Sequence, residues 1–102
     1  MAYRVAYDPD AADDLDYYRR RVAGVGRVED AVRDQLRHEP MKRTRNRFPA
    51  GPGAPGTWEL RVQPFRVFYD VDEGDEVVAI RAVLHKPRET PYRRGKETSS
   101  RE

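Results

Sequence analysis

The 102-residue sequence has no cysteine, only two histidines and a single tryptophan, and each scarcity removes a class of chemistry. Without thiols there are no disulfides, no thiolate nucleophile and no cysteine-ligated zinc, a composition that fits a reducing compartment. His38 and His85 form no HxxxH-type pair, so neither a metal site nor a cofactor is expected. No stretch approaches the roughly 18 consecutive apolar residues of a membrane span. The N-terminal MAYRVAYDPD lacks the uninterrupted apolar segment of a signal peptide. The expectation is a cytoplasmic protein that does not associate with membranes. Apolar residues make up 37% of the chain and mean hydropathy is −0.99, so one small core must be built from a few dense runs.

What the chain has in quantity is arginine, which supplies seventeen of the twenty cations. Net charge is only +2, but it is unevenly placed. Residues 1–39 carry nine acids against seven bases, whereas residues 40–69 carry one acid against six bases. The middle of the chain is therefore the basic part, and arginine is the better bidentate phosphate ligand.

Tyr3, Val5 and Tyr7 alternate with Arg4 and Ala6, the period-two pattern of a half-buried strand. Asp8 and Pro9 then predict a helix start, as N-cap and first helical residue. Ala11, Leu15, Tyr18 and Val22 form one apolar stripe, with acids (Asp10, Asp13, Asp14) in the first turns and Arg19, Arg20 and Arg21 in the last. Gly24 and Gly26 interrupt it. Val25, Val28, Val32 and Leu36 restart a second stripe that stops before Pro40, which predicts a helical hairpin. Residues 40–56, PMKRTRNRFPAGPGAPG, predict a long irregular connection whose Lys42, Arg43, Arg45 and Arg47 create a local positive field suited to RNA or an acidic partner.

Trp58, Leu60 and Val62 predict a strand, Gln63-Pro64 a turn, and Phe65, Val67, Tyr69 and Val71 a second strand. After the turn Asp72-Glu73-Gly74-Asp75, the nearly continuous apolar run Val77–Leu84 predicts an interior strand covered on both faces. The expected fold is α+β: an N-terminal strand, a helical hairpin and a three-stranded antiparallel meander forming one four-stranded sheet. Residues 1–92 are expected to form the domain and 93–102 a flexible polar tail.

If the sheet face away from the helices forms a groove, Arg66 projects into it and His85, Lys86, Arg88 and Tyr92 approach from the last strand. Metal-free RNA cleavage needs a base for the 2′-hydroxyl, an acid for the leaving 5′-oxygen and cations around the phosphorus. Glu59, His85 and Tyr92 are the proton-transfer candidates. Arg66 and Arg88, with Lys86 and Arg61, are the stabilisers. Structural roles compete for the same residues: Arg66 could pair with Glu59 across the hairpin, His85 could close the strand end, and Tyr92 could pin the C-terminal segment. Trp58 and Phe65 fit hairpin packing better than base stacking.

The string W-x-L-R-V-x-x-F-R-V-x-Y-D-V-D, followed by an apolar strand and H-K-x-R-E-x-x-Y, resembles the RelE/ParE superfamily of type II toxin–antitoxin toxins, the addiction-module or plasmid-stabilisation toxins. The resemblance covers residues 3–92. It implies a RelE-like fold, a cognate antitoxin that silences the toxin, and ribosome-dependent, metal-independent cleavage of mRNA. The superfamily arginine corresponds to Arg66, its C-terminal basic residue to Arg88 or Lys86, and its tyrosine to Tyr92. His85 resembles a histidine of some ribonuclease branches. The lysines of the ribosome-dependent nucleases have no counterpart in Thr57-Trp58-Glu59, which leaves Glu59 as a carboxylate base if it faces the groove. Two alternatives follow from the same resemblance: a ParE-type inhibitor of DNA gyrase without nuclease chemistry, and a solitary member without toxicity.

Overall fold

The computed structural model describes residues 2–98. Strand β1 (Arg4–Tyr7) leads into helix α1 (Pro9–Arg19), and α2 (Gly26–Leu36) follows. Pro9 sits in the first turn of α1 as its sequence predicts, but the Asp8 carboxylate makes no cap; it pairs with Arg81 instead. The two predicted stripes are the helices' buried sides: Ala11, Leu15 and Tyr18 on α1, and Val28, Val32 and Leu36 on α2.

The meander is β3 (Trp58–Val62), β4 (Phe65–Asp72) and β5 (Val77–His85), antiparallel throughout. Its first turn is the predicted Gln63-Pro64, and in the second the Asp72 carboxylate accepts the Asp75 N–H at 3.0 Å. The α+β class and the order of elements follow the sequence expectation, but among the described residues the sheet has seven strands rather than four. The three additions are short. Residues Arg47–Pro49 of the presumed irregular connection form β2 on the outer edge of β3, and β6 (Tyr92–Arg93) and β7 (Lys96–Glu97) extend the opposite edge. The stretch expected to begin a flexible tail thus folds into a hairpin at 92–97; the rest of that tail, 99–102, lies outside the described residues.

Strand β1 joins the meander beside β5, and does so in parallel. β5 is interior, as its nearly continuous apolar run predicts: β4 lies on one side, β1 and β6 on the other. The main core lies between the helices and one sheet face, around Tyr18, Leu36, Leu60, Phe65, Tyr69 and Ile80. A second, smaller apolar cluster occupies the far face, where Phe68, Ala82 and Leu84 meet Ala50 and Ala54 of the Pro/Gly-rich loop. Gly56 lets that loop approach closely, since a Cβ there would come within 2.8 Å of the Tyr69 nitrogen.

Candidate functional site

Strand alternation decides which side chains reach the face away from the helices. On β3 these are Glu59 and Arg61, on β4 Arg66 and Phe68, and on β5 Leu84. Lys86 continues the same side beyond β5, because its N–H bonds the Pro64 carbonyl at 2.7 Å and prolongs the ladder. Together with Arg93 of β6 and the loop around Gly51–Pro55 they enclose a groove of about 390 Å³. The floor is apolar and the walls are cationic.

Arg61 and Arg66 stand directly opposite one another, a like-charge pairing that is unfavourable without a bridging anion. Glu59 is that anion. Its Oε2 accepts Arg66 Nη1 at 3.0 Å and Arg61 Nε at 3.3 Å, and no hydrogen bond from a described residue reaches Oε1. The Arg61 guanidinium also stacks 4.8 Å from the Phe48 ring centroid, which holds it at the groove's β2 side. Glu59 and Arg66 side chains are 12% and 13% exposed, so the pair is largely withdrawn from water and its attraction is offset by the cost of desolvating both charges. Arg66 Nε is buried with no partner among the described residues, an expensive state for a guanidinium unless an acceptor from outside the chain occupies the groove.

The other candidates are placed differently. His85 has the opposite parity to Leu84 and Lys86, so its ring lies on the helix side, 5.3 Å from Phe65 and 6.0 Å from Tyr18 between centroids. Burial there lowers its pKa below the usual 6.5. Tyr92 pairs its backbone with His85 and its carbonyl accepts the Tyr18 hydroxyl at 3.0 Å; its side chain does not line the groove. Arg88 is exposed in the bend after Lys86, also off the groove. Of the cations expected to contact RNA, Arg61 and Lys86 line the groove, whereas Lys42, Arg43 and Arg45 lie exposed on the connection, Lys42 3.7 Å from Glu39. Arg47 is not a surface cation at all. It is buried, giving its guanidinium to the Gln35 carbonyl and, at 2.8 Å, the Lys42 carbonyl, so it ties the connection to the end of α2.

Two participants escaped the sequence reading: Arg93, assigned to the tail, and Phe68, given no role on the strand Phe65–Val71. The signal for Phe68 was its apolar character on the parity of Arg66 and Asp70, which marks a second apolar face.

Comparison with known proteins places the fold in a lineage. The family model described as the ParE toxin of type II toxin–antitoxin system, parDE, matches residues 5–89. No curated protein matches. Among solved structures, a chain of the toxin–antitoxin complex RelBE2 from Mycobacterium tuberculosis aligns over 84% of this chain and 100% of that one, with 26% identity and a TM-score of 0.68. A chain of the archaeal RelE–RelB complex from Pyrococcus horikoshii OT3 aligns over 87% of this chain and 99% of that one, with 26% identity and a TM-score of 0.58. A double arginine-to-alanine mutant of E. coli toxin RelE in the free state shares the fold at 18% identity, with a TM-score of 0.58 over 84% of each chain. With the family match running from β1 to the bend beyond β5, the chain belongs to the ParE toxin family of type II toxin–antitoxin systems, within the RelE/ParE superfamily.

Proposed function

We propose that this toxin is an endoribonuclease that cleaves mRNA on the ribosome, uses protein side chains for both proton transfers, and is silenced by a cognate antitoxin. The observation that carries this reading is the Glu59–Arg66 pair in the groove, with Glu59 Oε1 and Arg66 Nε both unengaged by described residues. A phosphodiester over the pair has its 2′-hydroxyl proton taken by Oε1 while the 2′-oxygen attacks phosphorus. The bond to the 5′-oxygen breaks, and that oxygen takes a proton from the Lys86 ammonium, leaving a 2′,3′-cyclic phosphate. A guanidinium does not give up its proton, so Arg61 and Arg66 stabilise charge while Lys86 acts as the acid. The apolar floor of Phe68 and Leu84 supports a nucleobase beside the phosphate.

A second reading, a gyrase inhibitor that works by binding alone, draws support from His85, Arg88 and Tyr92 all lying off the groove. Inducing the chain without its antitoxin separates the two. The nuclease reading expects loss of amino-acid incorporation with mRNA cut on ribosomes. Arrest of DNA synthesis with intact mRNA supports gyrase, and unimpeded growth contradicts both.

A further inference from the structure

Between the residues of β5 that pair with β1 (Val77–Ile80) and the one that pairs with β6 (His85), the strand's edge has no neighbouring strand among the described residues. Side chains fill the gap. Asp14 of α1, fully buried, accepts the Val83 N–H at 2.9 Å, and Arg93 gives its Nη2 to the Arg81 carbonyl at 3.3 Å. The same carboxylate holds Arg93 Nε at 3.0 Å and Arg94 Nε at 2.8 Å. Asp14 therefore takes one backbone proton and two guanidinium groups, satisfying both of its oxygens in a place where an unpaired carboxylate would be strongly disfavoured. Arg94 has a second acid nearby, Asp13 at 3.8 Å, and does not line the groove. Arg93 does line it, 28% exposed. With Nε and Nη2 committed, Nη1 is the nitrogen of Arg93 that no described residue engages.

From this we infer that Asp14 is a positioning residue for the groove: by fixing the fork of Arg93 from behind, it holds a further cation on the wall opposite the Pro/Gly-rich loop. Arg93 contacts the RNA backbone directly, and Asp14 acts through it. This rests on the nuclease reading for its ligand, an RNA phosphate, but not on cleavage. The signal in the sequence was Asp14 itself, an acid at the i+3 position from Ala11 and i−4 from Tyr18, on the apolar stripe. The hairpin has an independent anchor, since the Tyr18 hydroxyl bonds the Tyr92 carbonyl and receives the Arg94 N–H at 3.1 Å. Removing the Asp14 charge thus frees the Arg93 guanidinium without releasing the strand that carries it.

The test is binding of a single-stranded oligoribonucleotide, with the attacking 2′-hydroxyls methylated so that it cannot be cut, to purified toxin at several salt concentrations. Each phosphate neutralised contributes about 0.7 to the slope of log affinity against log salt. Arg93→Gln should lower the slope by about 0.7, Arg94→Gln should leave it unchanged, and Asp14→Asn should reproduce the loss although both arginines remain. In the double variant D14N/R93Q the slope should fall no further than in R93Q alone. An unchanged slope in R93Q overturns the role of Arg93, whether or not Asp14→Asn folds. Additive losses in the double variant overturn the action of Asp14 through Arg93. A toxin that binds the oligonucleotide with these slopes yet cuts no mRNA on ribosomes leaves the wall intact and refutes the nuclease reading alone.

Discussion

Two side chains carry the proposed chemistry, and they separate cleanly by substitution. Glu59→Gln keeps the size and the groove geometry but removes the base, so cleavage should fall by about 10²–10⁴-fold with ribosome binding retained. Arg66→Ala removes transition-state stabilisation, a loss of about 10²–10³-fold, and also removes a buried N–H that lacks a partner among the described residues. Glu59 keeps Arg61, so the stability of Arg66→Ala should lie within about 1 kcal/mol of the parent by thermal melting. A large drop in melting temperature would make Arg66 a structural residue instead. Both positions were legible because alternation on either side of a two-residue turn fixes which residues share a face. The same parity argument, applied to Leu84, His85 and Lys86, would have turned His85 toward the helices; proximity in sequence grouped it with the groove instead.

The elements that the sequence left hidden are the short ones at the sheet edges. β2 is a three-residue strand among glycines and prolines, and its anchor is the buried Arg47, whose partners are backbone carbonyls that leave no trace in side-chain pattern. β6 and β7 are two residues each in a polar stretch, held by contacts to Asp14 and Tyr18 more than seventy positions away in the chain. Periodicity reads helices and long strands because their apolar faces repeat; a clasp made by one carboxylate and one phenol does not repeat. The hairpin's turn depends on Gly95, which has φ near +82° and lies where a Cβ would collide with the Tyr17 hydroxyl. Gly95→Ala should therefore loosen the hairpin locally, at a cost of about 1 kcal/mol or more. Amide hydrogen exchange checks it: Thr98, whose N–H bonds the Pro91 carbonyl at 3.0 Å, should lose protection while Val83 and Tyr69 in the core keep theirs. Equal loss everywhere would mean that the hairpin is part of the global unfolding unit.

Taken whole, the molecule is one core with a cationic groove on the reverse of its sheet, and its pH response follows from what that core buries. Burial lowers the His85 pKa in the folded state, so the unfolded chain takes up the proton first on acidification. The stability due to neutral His85 is present above about 6.5 and is lost as pH falls through that value toward the lower folded pKa. Melting temperature should decline over that interval, and His85→Phe should remove the part of the decline due to this ring. At the alkaline end burial raises Tyr7 from 10.0 to about 12 and pushes Tyr18 and Tyr69 in the same direction. The folded protein keeps these protons after the unfolded chain has lost them, so their contribution is present below about pH 10 and lost above it. Absorbance at 295 nm should show Tyr7, Tyr18 and Tyr69 ionising late, with unfolding; a single transition near pH 10 for all six tyrosines would contradict the burial. Among the described residues no helix is long and apolar enough to cross a membrane. The direct test is a purified translation reaction carrying a defined mRNA on stalled ribosomes, with wild-type toxin compared against Glu59→Gln. The groove chemistry requires ribosome-dependent cuts bearing 2′,3′-cyclic phosphate ends from the wild type and almost none from Glu59→Gln. Undiminished cutting by the variant, or intact mRNA with both, would contradict it.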